Sequence, residues 1–154
     1  MKCKTNNMQK EGGDVEMSPQ QSFSREQKKT IEEVREITEI RMRKIADYHG
    51  LEHTKLVVRG AHYLSAQEKV DPFVMEISAW LHDWGRVGEK QRYVEGNKTP
   101  HATISQQKAQ RMLLVQLLQE GILNSSQYQR ILEIVKSHSD LPGQPMRERK
   151  IIRD

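Results

Sequence analysis

Cysteine is nearly absent from this chain: Cys3 is the only one. One thiol excludes an intramolecular disulfide, a cysteine-based zinc finger and an iron–sulfur cluster within the chain, and it agrees with a reducing compartment. Any metal must therefore be held by histidine and carboxylate. No apolar run approaches the ~18 residues needed to span a bilayer, and residues 1–24 lack the apolar block of a secretory signal. A soluble cytoplasmic protein with no membrane partner is the expectation. Convincing period-2 alternation, a glycine-rich phosphate loop and internal repeats are also missing, which removes sheet-based folds and P-loop nucleotide sites from consideration. Apolar residues make up only 35% of the 154, against 30% charged, and the mean hydropathy is −0.82. A chain of this length holds at most one ordinary domain, and this composition leaves part of it outside any core.

The net charge of +4 and pI near 9.2 raise the question of nucleic acid. The excess is thinly spread except at Arg147, Arg149, Lys150 and Arg153. That stretch has no interleaved aromatic on which a base could stack, so it reads as a solvated helix end and a nucleic-acid partner is not expected.

What the chain does contain is helical periodicity. Residues 1–23 are rich in Asn, Gln, Gly and Ser, show no apolar period, and read as a disordered tail. Ser24 with Gln27 forms a capping-box pattern, and Ile31, Val34, Ile37, Ile40 and Ile45 recur at near-helical spacing, predicting a helix to about residue 47. After Gly50 a second helix carries the stripe His53, Leu56, Val57, Gly60, Ala61 and Leu64. Asp71-Pro72 starts a third, apolar nearly all round, that runs into His82-Asp83-Trp84-Gly85 with Gly85 as terminator. A polar loop over 88–99 leads to a fourth helix over 102–120, with Met112, Leu113, Val115, Leu117 and Leu118 as its buried face. Ser126 with Gln129 starts a fifth, with Ile131, Ile134, Val135 and His138 inside, and a last helical segment begins at Met146. The fold class is all-α: a helical bundle of five to six helices over residues 24–154.

The six histidines carry the chemistry. A lone histidine on an apolar face is an ordinary core or surface group. Here His53 heads an apolar stripe, His138 ends one, and His82-Asp83 closes the most apolar helix. A polar group at the core end of a packed helix is costly without a partner, and a shared metal would serve all four. Imidazole and carboxylate suit Mn, Fe, Co, Ni or Zn. His49, before a helix-breaking glycine, and His62, one position off the stripe, read as bystanders.

His53, then His82-Asp83 after 29 residues, then a late Asp, resembles the H…HD…D signature of HD-domain metal-dependent phosphohydrolases. The likeness covers residues 51–154 and includes Glu52-His53-Thr54 at a helix start, Ala79-Trp80-Leu81-His82-Asp83-Trp84-Gly85-Arg86 at a helix end, and Lys150-Ile151-Ile152-Arg153-Asp154 at the close. His101 and His138 stand where two-metal members add two histidines. The resemblance implies one or two divalent ions (Mg joining the metals above), with Asp83 bridging, His53 and His82 completing one site, His101 and His138 serving the other, and Asp154 as the late ligand. Arg86 is the candidate contact to a substrate phosphate.

At its close the sequence departs from the family's pattern, in which the late ligand commonly lies in an Asp-Ala-Asp or Ala-Asp sequence within a continuing helix. Either Asp154 is the ligand, or it matches the first Asp of that motif and the ligand lies two residues further on. Residues two apart face opposite sides of a helix, and a terminal turn frays, so the second reading is favoured. A domain truncated at its C-terminus, with weakened activity, is then the expectation.

The leading function is hydrolysis of a small phosphate ester, a nucleotide or related phosphomonoester. Two alternatives differ in class: a di-iron oxygenase on the same scaffold, and a non-catalytic module that binds a nucleotide, a partner or nucleic acid. A homo-oligomer is compatible with all three.

Overall fold

Helix starts follow capping chemistry. Ser24 accepts a hydrogen bond from Gln27 N while the Gln27 side chain accepts one from Ser24 N, and helix α1 (Arg25–Met42) follows. Asp71 accepts from Phe73 N and Val74 N, Pro72 occupies the first helical position, and α3 (Pro72–Leu81) begins there. Between them α2 runs over Leu51–Glu68. The computed structural model describes residues 23–139. Expectations about residues 1–22 and 140–154, including the last helical segment, the basic cluster and Asp154, lie outside the described residues.

After α3 come a 3₁₀ turn (Trp84–Arg86), α4 (Glu89–Val94), α5 (His101–Ala109), a π-helical stretch (Gln110–Leu114), α6 (Val115–Gln119) and α7 (Ser125–Ser137). The protein is all-α. Among the described residues there is no strand, and with α5 to α6 forming one continuous rod the bundle has six helical rods, as expected. Helix α3 is the central one: every residue from Phe73 to Leu81 is buried, and α1, α2 and α7 pack around it. Helix α5 packs on α7 and on the turn after α3. No helix among the described residues is long and apolar enough to cross a membrane.

Several details depart from the sequence reading. Helix α1 stops at Met42, and its inner face is Thr30, Val34, Thr38 and Met42; Ile37 and Ile40 are exposed. Thr38 is buried because its hydroxyl accepts from Trp84 Nε1 (2.9 Å) and donates to Trp80 O (3.4 Å), a polar bridge that an apolar period does not reveal. In α2 the buried stripe is Thr54, Val58, Ala61 and Ser65, one position round from the expected one, and Leu56 is exposed. Phe23, assigned to the tail, packs edge-on against Phe73. The polar stretch 88–99 contains α4. The π turn keeps the 102/105/109 stripe in line with Leu113, Leu114 and Leu117, so Met112 and Val115 face outward. Helix α7 is capped two residues early, by Asn124 with Gln127, because Asn accepts as well as Ser does.

His62 is not idle: it pairs with Glu76, a buried carboxylate on α3 that also accepts from Trp80 Nε1. Burial pushes the Glu76 carboxyl above its ordinary range, against the pull of His62 and the Trp80 hydrogen bond.

Gly85 does not terminate α3, which ends at Leu81. It is required for another reason: a Cβ there would overlap the His101 carbonyl oxygen and lie 2.8 Å from Ser105 N. Gly60, in mid-helix, would place a Cβ in open space. Gly85→Ala should therefore destabilise by ~1–3 kcal/mol through overpacking, and Gly60→Ala should stabilise by roughly 0.5–1 kcal/mol through helix propensity. Urea unfolding of the two variants checks the pair of opposite signs. His62→Ala, which leaves Glu76 buried without its partner, should cost about 1–3 kcal/mol in the same assay.

Candidate metal centre

The most buried helix ends in two polar residues, and the fold brings three more histidines to them. His82 follows the last residue of α3, and His138 follows the last residue of α7. These two positions repeat one local device. At each, the imidazole Nδ1 donates to the carbonyl three residues back, His82 to Ala79 O and His138 to Val135 O, both at 2.7 Å. A helix's last carbonyls lack intrahelical donors, so a histidine folded back on one satisfies it and has its tautomer fixed. With the proton on Nδ1, Nε2 carries a lone pair, and both Nε2 atoms face Asp83.

Asp83 is 3% exposed, and its two oxygens divide the histidines between them. Oδ2 lies 3.3 Å from His82 Nε2 and 3.7 Å from His53 Nε2. Oδ1 lies 3.4 Å from His101 Nε2 and 3.4 Å from His138 Nε2. His101 and His138 present Nε2 atoms 3.2 Å apart. Two triads result, His53–His82–Asp83 and Asp83–His101–His138, each with its ligand atoms within 4.8 Å of one another. His53 comes from the first turn of α2 and His101 opens α5. The turn after Asp83 is gripped from outside: Lys108 Nζ donates to Trp84 O (3.3 Å) and Val87 O (3.1 Å), and Arg92 donates to Val87 O and Gly85 O.

The electrostatics favour a cation. Burial on its own would raise the Asp83 carboxyl, but the imidazoles of His101, His138 and His82 gathered around it hold it below the ordinary carboxylate range, so it stays charged. Burial pushes the His53 and His138 imidazoles below their usual 6.5, with Asp83 pulling the other way. A neutral imidazole with its Nε2 lone pair aimed at a carboxylate oxygen sets acceptor against acceptor. His82 Nε2 is a buried atom without a hydrogen-bond partner, which a divalent ion between nitrogen and carboxylate would resolve. Two helix C-termini, the negative ends of their dipoles, add to the attraction. The donor set fits a divalent metal of the N/O class.

Of the six candidate ligands, His53, His82, Asp83, His101 and His138 are brought together; Asp154 lies outside the described residues. Arg86 reaches the cluster, with Nε 3.4 Å from Asp83 Oδ1. His49 stands back, its ring 5.9 Å from that of His53, and hydrogen-bonds through its backbone to Asp47. Glu89, in the 88–99 stretch expected to border the site but given no role by the sequence, joins the cluster: its Oε1 lies 3.8 Å from His101 Nδ1 and its Oε2 3.3 Å from Arg86 NH1. Its only signal was a place in a charged stretch just after the His-Asp pair.

Asp83→Ala should abolish metal binding, whereas His82→Ala or His138→Ala should each lower the stoichiometry, measured by elemental analysis, and His49→Ala should leave it unchanged. The pH dependence has a definite sign. The folded-state imidazoles of His53 and His138 stay neutral below 6.5, where an unfolded histidine takes up its proton. The metal-free fold should therefore keep its stability above pH 6.5 and lose it as the pH falls from there through the depressed values. Thermal unfolding of chelated protein between pH 8 and 5 measures this.

No curated protein and no solved structure matches the chain significantly. The family model of the HD domain matches residues 50–154, beginning three residues before His53 and spanning both triads. Its match covers more than half of the sequence and joins the H…HD pattern to the observed convergence of those residues on Asp83, so the chain belongs to the HD-domain family, within the superfamily of metal-dependent hydrolases.

Proposed function

We propose that the protein is a metal-dependent phosphohydrolase acting on a small phosphate ester, a nucleotide or related phosphomonoester, with His53, His82, Asp83, His101 and His138 as ligands of two divalent ions. The single observation that carries this reading is the division of Asp83: each oxygen faces its own pair of imidazoles, the arrangement a bridging carboxylate needs. Asp154 is a proposed sixth ligand by resemblance alone.

When bound, ions of this class neutralise phosphoryl oxygens and lower the pKa of a water towards 7. The chain's own residues supply the rest. Asp83 keeps its charge, so it would hold metal through both oxygens without taking up a proton itself. Nδ1 bonds to Ala79 O and Val135 O stop His82 and His138 from rotating. Arg86 is partly buried beside Asp83 and held by Glu89, which leaves its guanidinium fixed for a phosphate oxygen. We assign it the role of substrate contact.

Hydrolysis of nucleoside monophosphates or other phosphomonoesters should appear on addition of Mn, Co or Mg, vanish with chelator, and fall by roughly two orders of magnitude or more in Arg86→Ala if that guanidinium stabilises the transition state. Phosphate release across an ester panel, run beside an oxygen electrode, is the test. A metal-loaded protein that releases no phosphate from any ester yet consumes oxygen would overturn this reading in favour of a di-iron oxygenase.

A further inference from the structure

The phosphohydrolase reading leaves the leaving group undescribed, and the cavity beside the metal centre has a chemistry of its own. A cavity of about 410 Å³ lies between the segment that follows α1 (residues 44–47) and the turn that follows Asp83 (residues 86–90). That volume lies in the range of small-molecule sites. Arg86 and Glu89 belong both to its wall and to the surroundings of Asp83 and His101, so the cavity adjoins the cluster across these two side chains.

Its charges are unevenly committed. Glu89 is engaged through Oε2 by Arg86 and through Oε1 by the Tyr93 hydroxyl (3.2 Å). Asp47 Oδ1 accepts from His49 N (2.9 Å) and lies 3.5 Å from His49 Nδ1. Lys44 and Lys90 also line the cavity, from opposite walls. Among the described residues no ion pair within 4.0 Å involves either ammonium, and Lys90 acts on Asp47, on the facing segment, only at longer range. The apolar part of the lining is Ile45, Ala46 and Val87, with no aromatic ring to stack on a base.

We propose that this cavity takes a second phosphoryl group of the substrate, with Lys44 and Lys90 as its specificity-determining residues. The scissile phosphate would be received at the proposed metal centre, Arg86 lies between the two anions, and the rest of the substrate spans the gap. Preference is then set by the number of phosphoryl groups and not by the base. The inference rests on the phosphohydrolase reading for the first phosphate, but the second can be tested by binding alone.

The experiment compares two ligand pairs on the purified chain with added Mn: adenosine 3′,5′-bisphosphate against AMP, and fructose 1,6-bisphosphate against fructose 6-phosphate. Affinities are read by calorimetry and hydrolysis by phosphate release. Two exposed charge pairs together correspond to about a tenfold preference for the bisphosphate in both pairs at low salt. Lys44→Ala/Lys90→Ala should bring that ratio close to one. The exposed pair Lys28→Ala/Lys29→Ala at the start of α1, which removes the same charge elsewhere, should leave it at about tenfold. Equal affinity for mono- and bisphosphates in the parent chain overturns the proposal, and so does a preference that survives in Lys44→Ala/Lys90→Ala or falls equally in the control. Should the binding preference behave as stated while no ester is hydrolysed, the phosphohydrolase reading fails and the second-anion site stands.

Discussion

Acceptor facing acceptor is the constraint around which this molecule is built. Two helix-end imidazoles give their Nδ1 protons to backbone carbonyls, and their bare Nε2 atoms then stand 3.3–3.4 Å from the oxygens of a carboxylate that is 3% exposed. Left alone, that arrangement is repulsive and poorly solvated. A cation between nitrogen and oxygen would turn each such contact into a coordinate bond. The same carbonyl bonds that create the conflict also aim the lone pairs, so ligand orientation is set by the helix termini themselves.

The rest of the fold holds those termini in place. Helix α3 is buried on all sides, so the His-Asp pair at its end cannot move without disturbing α1, α2 and α7 together. Gly85 lets the start of α5 approach the turn after Asp83, which is what brings His101 within 3.4 Å of Asp83 Oδ1. Ser105 answers from α5 by accepting Gly85 N (2.6 Å), and Lys108 and Arg92 donate to the carbonyls of the turn. Trp84 anchors the turn to α1 through Thr38 and lies under Arg41, whose guanidinium carbon is 4.7 Å from its ring.

Legibility from sequence followed the kind of signal each feature leaves. The Asp71-Pro72 start, the Ser24–Gln27 box and the apolar wrap of α3 are local and were read in place. The grouping of His53, His82, Asp83, His101 and His138 follows in the sequence from helix ends and the H…HD spacing, and the fold brings all five together. The inner faces of α1 and α2 are not legible in the apolar pattern because threonines and a serine fill buried positions there, satisfied by partners such as Trp80 O and Gly50 O. Gly85 looks like a terminator in the sequence because its real constraint is a close approach by residues sixteen and twenty positions away. Glu89 and the His62–Glu76 pair depend on α4 and on α2–α3 packing, which no motif announced.

The central claim is that Asp83 bridges two metal ions, one in each histidine pair. Anomalous diffraction from crystals of the Mn-loaded protein locates the ions directly. Two peaks about 3.5–4 Å apart, one on each Asp83 oxygen, with His53 and His82 on one and His101 and His138 on the other, are the expected result. Ions bound elsewhere with Asp83 free of metal would contradict it.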